Sequence, residues 1–298
     1  MMKCLLNFLL LFSSLSATSE CFSQDVFKLW ERQVKPFYKD NNLVEEVSEI
    51  YGIRAVFNVT EPTLTVYRAK GENTGKAVVI CPGGGYEFEA IYHEGYDIAM
   101  VLSKAGITAA VLKYRLPNPK TSDKPHLVPL TDARRGLQLL REKAGEYGIN
   151  SSHVGIMGFS AGSHLATAVS LWKSIDPTEN PDFSVLVYGV TTNKPGNIKW
   201  LEESLFYRKI TDDEIKQNSF VDLVSAATPP TFLVHAYDDD VCHISESSEY
   251  ADKLSAHGVT VEMHAFKKGG HGFGGGRSED GTDQWLPLLI TWIKVDTY

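Results

Sequence analysis

The sequence predicts an α/β fold in which a mostly parallel sheet is covered by helices on both faces. Short apolar runs typical of strands alternate with longer helical patterns along most of the 298 residues, the order that builds a parallel sheet. The runs at residues 77–81 and 107–112 contain almost no polar side chain, as expected of strands buried on both faces. At residues 154–171, an apolar run, a tight turn and a small-residue helical pattern follow one another.

The individual elements follow from the same patterns, taken in order. Residues 25–50 are polar and irregular and predict an arm laid over the domain. Two strands are predicted within residues 53–67, and further strands at residues 77–81, 107–112, 154–157, 183–189, 231–236 and 259–266. Helices are predicted at residues 94–105, 131–147, 161–173, 246–256 and 283–294. Residues 191–228 break the alternation with polar residues and scattered aromatics, which predicts a small helical insertion over the site.

Composition and charge limit the class of protein. A hydrophobic content of 43% over 298 residues is enough to bury a large core, and no repeat or linker divides the chain, so residues 25–298 are expected to form one domain. The net charge is −8 without a basic run, which argues against nucleic acid as a partner.

The N-terminus has the pattern of a signal peptide, predicted at residues 1–24. A lysine at position 3 precedes an apolar stretch from Leu5 to Phe12, and small residues follow, with cleavage candidates at residues 17–19 and at Ser23. The apolar stretch is too short to span a membrane. A lipoprotein centred on Cys21 is the weaker alternative, because an acidic residue precedes this cysteine. The protein is therefore expected to be secreted or periplasmic.

Residues 158–162 have the sequence Gly-Phe-Ser-Ala-Gly, which matches the Gly-x-Ser-x-Gly pattern of a nucleophile elbow. In such a turn the hydroxyl of Ser160 is exposed, and the two glycines leave room for the neighbouring strand and helix. The amide of Ala161 would lie at a helix N-terminus, which favours negative charge nearby. The same pentapeptide also arises by chance, so the assignment depends on partners for the serine elsewhere in the chain.

A serine hydroxyl needs a base that accepts its proton and a carboxylate that orients the base. Two loops after late strands supply candidates in the expected chain order of serine, acid and histidine. One loop contains three consecutive aspartates, of which Asp239 is the first choice and Asp238 the second. The other contains His271 between glycines, whose flexibility lets the imidazole approach Ser160.

Three other histidines are expected to have different roles. His164 on the helix after the turn and His235 inside a strand are expected to be structural. His93 lies in a loop and could contact substrate, although the sequence offers it no partner.

Three glycines at residues 83–85 directly follow a predicted buried strand and can present amide groups without obstruction by side chains. Such amides stabilise the negative oxygen that forms when an ester carbonyl is attacked. A plain glycine-rich turn is the alternative, whereas a phosphate loop is disfavoured because no Gly-Lys-Ser/Thr follows. The cysteines show no metal pattern, and no cofactor is expected.

Five short motifs occur in order between Asn58 and Trp292. They are Pro-Gly-Gly-Gly-Tyr at residues 82–86, His-Glu-Gly at 93–95, Leu-Lys-Tyr-Arg-Leu at 112–116, Gly-Phe-Ser-Ala-Gly at 158–162 and Gly-Gly-His-Gly-Phe at 269–273. Together they resemble the signatures of secreted bacterial α/β-hydrolase esterases, the acetyl xylan esterase and feruloyl esterase-like enzymes associated with plant polysaccharide breakdown. The resemblance implies an α/β-hydrolase fold. It also implies a triad of Ser160, Asp239 and His271 and an oxyanion hole formed by the amides of Ala161 and of Gly85 or Gly84.

The sequence departs from this family at the acid. In the family the acid is usually followed by x-x-Val-Pro, but Asp239 is followed by Asp240-Val241-Cys242-His243. The departure leaves Asp238 open as the triad acid. Ser163 also replaces a glycine that is usual after the elbow, which should matter less in a helix.

The expected function is that of a secreted serine esterase acting on a small-molecule or oligosaccharide ester, with no nucleic acid partner and no membrane span. A serine peptidase of the same fold is the nearest alternative, although such peptidases usually carry a large extra domain. A catalytically silent binding protein is the alternative from another class and would be expected to have lost part of the triad or hole. The acyl group, the alcohol and the oligomeric state do not follow from the sequence.

Overall fold

A computed structural model describes residues 24–295 of the chain, so the predicted signal peptide at residues 1–24 lies almost wholly outside the described part. The strands are, in chain order, β1 (Gln24–Lys28), β2 (Glu46–Ile50), β3 (Ile53–Phe57), β4 (Thr63–Tyr67), β5 (Ala77–Cys81), β6 (Phe88–Glu89), β7 (Thr108–Lys113), β8 (Val154–Phe159), β9 (Ser184–Val187), β10 (Thr231–Ala236) and β11 (Val261–Phe266). The α-helices are α1 (Asp97–Lys104), α2 (Val128–Glu142), α3 (Ala144–Tyr147), α4 (Ala161–Leu171), α5 (Pro195–Leu201), α6 (Asp212–Gln217), α7 (Phe220–Leu223), α8 (Ser245–Ala256) and α9 (Trp285–Lys294).

The central sheet has the strand order β1-β4-β7-β5-β8-β9-β10-β11. In this spatial order, the six strands β7, β5, β8, β9, β10 and β11 pair in parallel. β4 pairs antiparallel with β7, and β1 pairs antiparallel with β4 at the edge of the sheet. Every residue of β5, β8, β9 and β10 is buried, because helices cover both faces of the sheet, as apolar parallel strands require. The predicted mostly parallel α/β fold is thus confirmed.

The expectation of an irregular arm over residues 25–50 is wrong in two places. β1 extends the central sheet by pairing with β4, and β2 pairs with β3 in a small second sheet that β6 completes. The alternation of β1 is hidden because its inward-facing positions include Asp25, which accepts hydrogen bonds from Arg68 and Tyr147. β2 is almost entirely exposed, so its side chains leave no apolar pattern.

Residues 191–228 contain α5, α6, α7 and a π-helical turn at Glu202–Phe206. Most of their aromatic side chains face the domain, whereas Tyr207 is 41% exposed. Phe220 is fully buried, and Trp200 stacks on Tyr86 with ring centroids 5.6 Å apart. No helix within residues 24–295 is long and apolar enough to cross a membrane.

The parallel strands place several loops at one edge of the sheet. Residues 82–86, which we call the oxyanion loop, leave β5, and Ser160 directly follows β8. The three aspartates follow β10, and residues 267–276, which we call the histidine loop, follow β11. Because the strands are parallel, all of these loops lie at the carboxyl edge.

Candidate active site

Ser160 occupies a sharp turn between β8 and α4, with φ of +49° and ψ of −118°. The turn is possible because Gly162 allows a close approach: a Cβ at this position would lie 2.1 Å from the carbonyl oxygen of Cys81. The amide of Ser160 donates to the carbonyl of Val187 at 3.0 Å, which ties the turn to β9. The strained backbone is therefore held by contacts on both sides, as is common at functional sites.

The structure brings the three predicted residues together in one hydrogen-bonded chain. Nε2 of His271 lies 2.8 Å from Oγ of Ser160, and Nδ1 of His271 lies 2.8 Å from Oδ2 of Asp239. An ionised carboxylate can only accept, so Nδ1 carries the ring proton and Nε2 is left to accept the proton of the serine hydroxyl. This arrangement can activate the serine as a nucleophile.

Asp239, and not Asp238, contacts His271. Asp239 is 4% exposed, and its Oδ1 accepts the amides of Val241 and Cys242 at 2.9 and 2.8 Å. These bonds turn the other oxygen towards His271. Asp238 is exposed and accepts the amide of Gly270 at 2.8 Å, so it holds the histidine loop by its backbone.

The hydrogen bonds around Asp239 favour its ionised form. Burial alone would raise the pKa of this carboxyl, but hydrogen bonds from His235 and His271 outweigh burial and bring the pKa below its ordinary value. Asp239 is therefore charged at neutral and mildly acidic pH.

His235 is closer to the site than its position inside β10 suggested. Its Nε2 lies 3.3 Å from Oδ2 of Asp239 and 2.8 Å from the carbonyl oxygen of Cys242, and its Nδ1 lies 2.8 Å from Oγ of Ser247. The sequence could have indicated this contact only through the spacing of four residues between His235 and Asp239. Such a spacing does not predict a contact in a strand followed by a loop.

The other two histidines differ in their surroundings. Nδ1 of His164 lies 2.9 Å from the hydroxyl of Tyr86, and burial lowers the pKa of His164 to about 3, so the ring is neutral. Nε2 of His93 lies 3.7 Å from Oε1 of Glu94, a neighbour in the same predicted motif.

The oxyanion loop lies against the serine: a Cβ on Gly83 would be 2.9 Å from Cβ of Ser160. The carbonyl of Gly83 accepts the amide of Ala90, directly after β6, and the carbonyl of Gly84 accepts the amides of Glu87 and Phe88. Because a trans peptide points its C=O and N–H in opposite directions, the amides of Gly84 and Gly85 point away from those contacts. Neither amide, nor that of Ala161, donates to a protein acceptor within residues 24–295. These three groups are available to a ligand.

The insertion holds the oxyanion loop from outside. The indole Nε1 of Trp200 donates to the carbonyl of Gly85 at 3.2 Å, and its ring stacks on Tyr86. Tyr86 has φ of +66°, which a non-glycine residue adopts only where its surroundings hold it. Trp200, one of the scattered aromatics of the insertion, thus contacts the oxyanion loop, a contact that the sequence did not reveal.

Within the described residues, no group of three or more His, Cys, Asp or Glu side chains could hold a metal ion. Cys81 and Cys242 are both buried and form no disulfide.

The fold and the serine turn define the class: the protein is an α/β-hydrolase. The chain belongs to the BD-FAE family, whose model matches residues 64–254.

Known proteins similar to the chain include xylan-related enzymes. The chain is 34% identical over 230 residues to an acetylxylan esterase of Xylanibacter ruminicola, covering 74% of this chain and 46% of that protein. It is 28% identical over 221 residues to endo-1,4-beta-xylanase B of Butyrivibrio fibrisolvens, covering 71% of this chain and 34% of that protein. The matched region thus spans less than half the length of each of these relatives.

A solved structure matches over almost the whole length of both chains. It is an acetyl ester-xyloside bifunctional hydrolase from Caldicellulosiruptor lactoaceticus, with a TM-score of 0.76 and 30% identity, covering 91% of this chain and 95% of that one.

Proposed function

We propose that the protein is a serine esterase that hydrolyses carboxylic esters through an acyl-enzyme on Ser160. Its natural substrates would be acetyl or feruloyl groups on xylan-type polysaccharide fragments. The observation that carries the proposal is the continuous hydrogen-bonded chain from Ser160 through His271 to Asp239. The names of two similar proteins, an acetylxylan esterase and an acetyl ester-xyloside hydrolase, support acetylated xylan fragments as the first substrates.

In the proposed reaction, Oγ of Ser160 forms a bond to the ester carbonyl carbon while Nε2 of His271 accepts the hydroxyl proton. The carbonyl electrons move to oxygen, where the amide of Ala161 and that of Gly85 or Gly84 each contribute about 3–4 kcal/mol of stabilisation. The alcohol leaves with the proton from His271. Water then attacks the acyl-enzyme by the same route and releases the acid. The scheme requires no metal or organic cofactor.

The alternatives are less well supported. A peptidase would use the same triad, but within the described residues 24–295 the additional structure near the site is the small insertion at residues 191–228. A silent binding protein would not need an unbroken hydrogen-bonded chain from Ser160 to Asp239 beside unpaired amides.

A substrate panel tests the proposed class. We expect the purified protein to release acetate from acetylated xylo-oligosaccharides and aryl acetates, with a lower kcat/KM for a feruloyl ester, because its named relatives act on acetyl esters. Acetate and ferulate release are measured by chromatography. Cleavage of peptides without hydrolysis of any ester would contradict the proposal and favour the peptidase.

We propose that the protein is exported and that residues 25–298 form one catalytic domain. Mass spectrometry of the mature protein should find its N-terminus between about residues 20 and 25. Cleavage at or before Ser23 would leave β1 whole, since this strand begins at Gln24. Finding Met1 on the exported protein would contradict this prediction.

A further inference from the structure

Glu94 is a buried carboxylate that the proposed reaction does not use. It lies in a π-helical turn at Tyr92–Tyr96, between the oxyanion loop and α1, and is 3% exposed. Its Oε2 accepts the amide of Gly83 at 2.7 Å, and its Oε1 accepts the hydroxyl proton of Tyr188 at 2.7 Å. Each oxygen therefore binds a donor from a segment that borders the candidate site.

Tyr188 extends this contact to the histidine loop. Its hydroxyl oxygen accepts the amide of Gly274 at 3.0 Å, and its ring centroid lies 5.0 Å from that of His271 and 4.7 Å from that of Phe273. Tyr188 directly follows β9 with φ of +39°, a conformation that non-glycine residues keep only where surrounding contacts hold it. The tyrosine is thus fixed at its backbone, its hydroxyl and its ring.

We infer that Glu94 is a positioning residue that, through Tyr188, holds the oxyanion loop and the histidine loop at a fixed separation. The two loops supply the groups that stabilise the oxyanion and transfer the proton, and a displacement of such groups by about 1 Å can lower a rate by roughly 10²-fold. The inference rests on the proposed function, because it concerns the geometry of the same reaction.

The chemistry of the contacts explains why a carboxylate occupies this position. An ionised carboxylate offers acceptors on both oxygens, whereas a glutamine amide offers one acceptor and one donor group. A glutamine facing the Gly83 amide and the Tyr188 hydroxyl would therefore leave one of the two donors without an acceptor. Burial and the charge of Glu94 raise the pKa of Tyr188 well above its ordinary value, so this hydroxyl stays protonated and donates.

The test compares Glu94→Gln, Tyr188→Phe and the double variant with the wild type on an aryl acetate. We expect each single change to lower kcat by about 5- to 50-fold and to leave KM within about threefold, because the substrate still binds while the reacting groups lose alignment. The inference places the two residues in one chain of contacts between the loops, and breaking this chain at either residue releases both loops, so the double variant should be at most about twofold slower than the slower single variant.

A second readout follows the transition state directly. An alkyl boronic acid that forms a tetrahedral adduct on Ser160 should lose affinity in both single variants in proportion to kcat, because it resembles the transition state rather than the ester. A role confined to stability would not change this affinity in the folded protein.

Asp182→Asn is the matched control. Oδ2 of Asp182 also accepts an amide, that of Val154 at 2.8 Å, but at the amino end of β8, on the opposite edge of the sheet. We expect this change to lower the melting temperature and to leave kcat within about twofold of the wild type, since the site is distant.

The outcomes separate the two proposals. If hydrolysis by the wild type does not depend on Ser160, the proposed function fails, and this inference fails with it. If hydrolysis depends on Ser160 but kcat is unchanged in both single variants, or their losses multiply in the double variant, only the inference about Glu94 is overturned. A fall in kcat in Asp182→Asn as large as that in Glu94→Gln would also overturn it, by showing a general effect of destabilisation.

Discussion

Replacing Ser160 with alanine is expected to remove nearly all ester hydrolysis, a loss on the order of 10⁴-fold or more. Oγ of Ser160 is the atom that His271 contacts at 2.8 Å, and alanine leaves no atom that could attack the ester. Only one oxygen is removed, so the circular dichroism spectrum and melting temperature should stay close to those of the wild type. The loss is measured as kcat/KM on an aryl acetate.

Ser163→Ala provides the control from the same helix. Ser163 is fully buried in the first turn of α4, and its hydroxyl has no hydrogen-bond partner in the described part of the chain. Removing the hydroxyl of Ser163 should leave kcat/KM for the ester within about threefold of the wild type, because this hydroxyl is not one of the reacting groups. If Ser160→Ala kept a tenth of the activity, Ser160 would not be the nucleophile.

The parts of the fold that the sequence predicted are those in which burial determines residue type. The predicted strand at residues 231–236 coincides with β10, and that at residues 77–81 with β5, because strands covered on both faces admit few polar residues. β1 and β2 were missed because their side chains are largely exposed or satisfied by polar partners. β6 has only two residues, too few for any periodicity.

The candidate site was predictable where a local pattern carries the chemistry. The serine turn and the glycines around His271 are short stretches whose backbone needs particular residues, and such needs are visible in sequence. The acid was less certain, because three adjacent aspartates are equivalent until the loop conformation decides which side chain turns inward. Glu94 and Trp200 act through contacts with Tyr188 and Gly85 in distant segments, for which no local pattern exists. The spacing of four residues between His235 and Asp239 is local, but it has no special meaning in a strand followed by a loop.

The loop of three aspartates after β10 contains the second residue whose substitution is expected to have a large effect. Asp239→Asn should lower kcat by roughly 10²- to 10⁴-fold, because an amide can hold the imidazole of His271 in the wrong tautomer and no longer stabilises its charged form. Hydrogen bonds keep the pKa of Asp239 below its ordinary value despite burial, so the wild-type carboxylate is ionised throughout the neutral range. Asparagine does not ionise, so a change of assay pH within this range should not restore the variant. The kcat is measured on one aryl acetate at several pH values.

Asp238→Asn and Asp240→Asn are the matched variants from the same loop. Asp238 accepts the amide of Gly270 at 2.8 Å but does not contact the imidazole of His271, and both neighbours of Asp239 are exposed. We expect Asp238→Asn to cost less than about tenfold in kcat, since its amide oxygen can still accept from Gly270, and Asp240→Asn to cost less still. A deep loss in Asp238→Asn with Asp239→Asn nearly unaffected would assign the acid to Asp238. Equal losses in all three variants would show that the loop, rather than one carboxylate, is what the reaction requires.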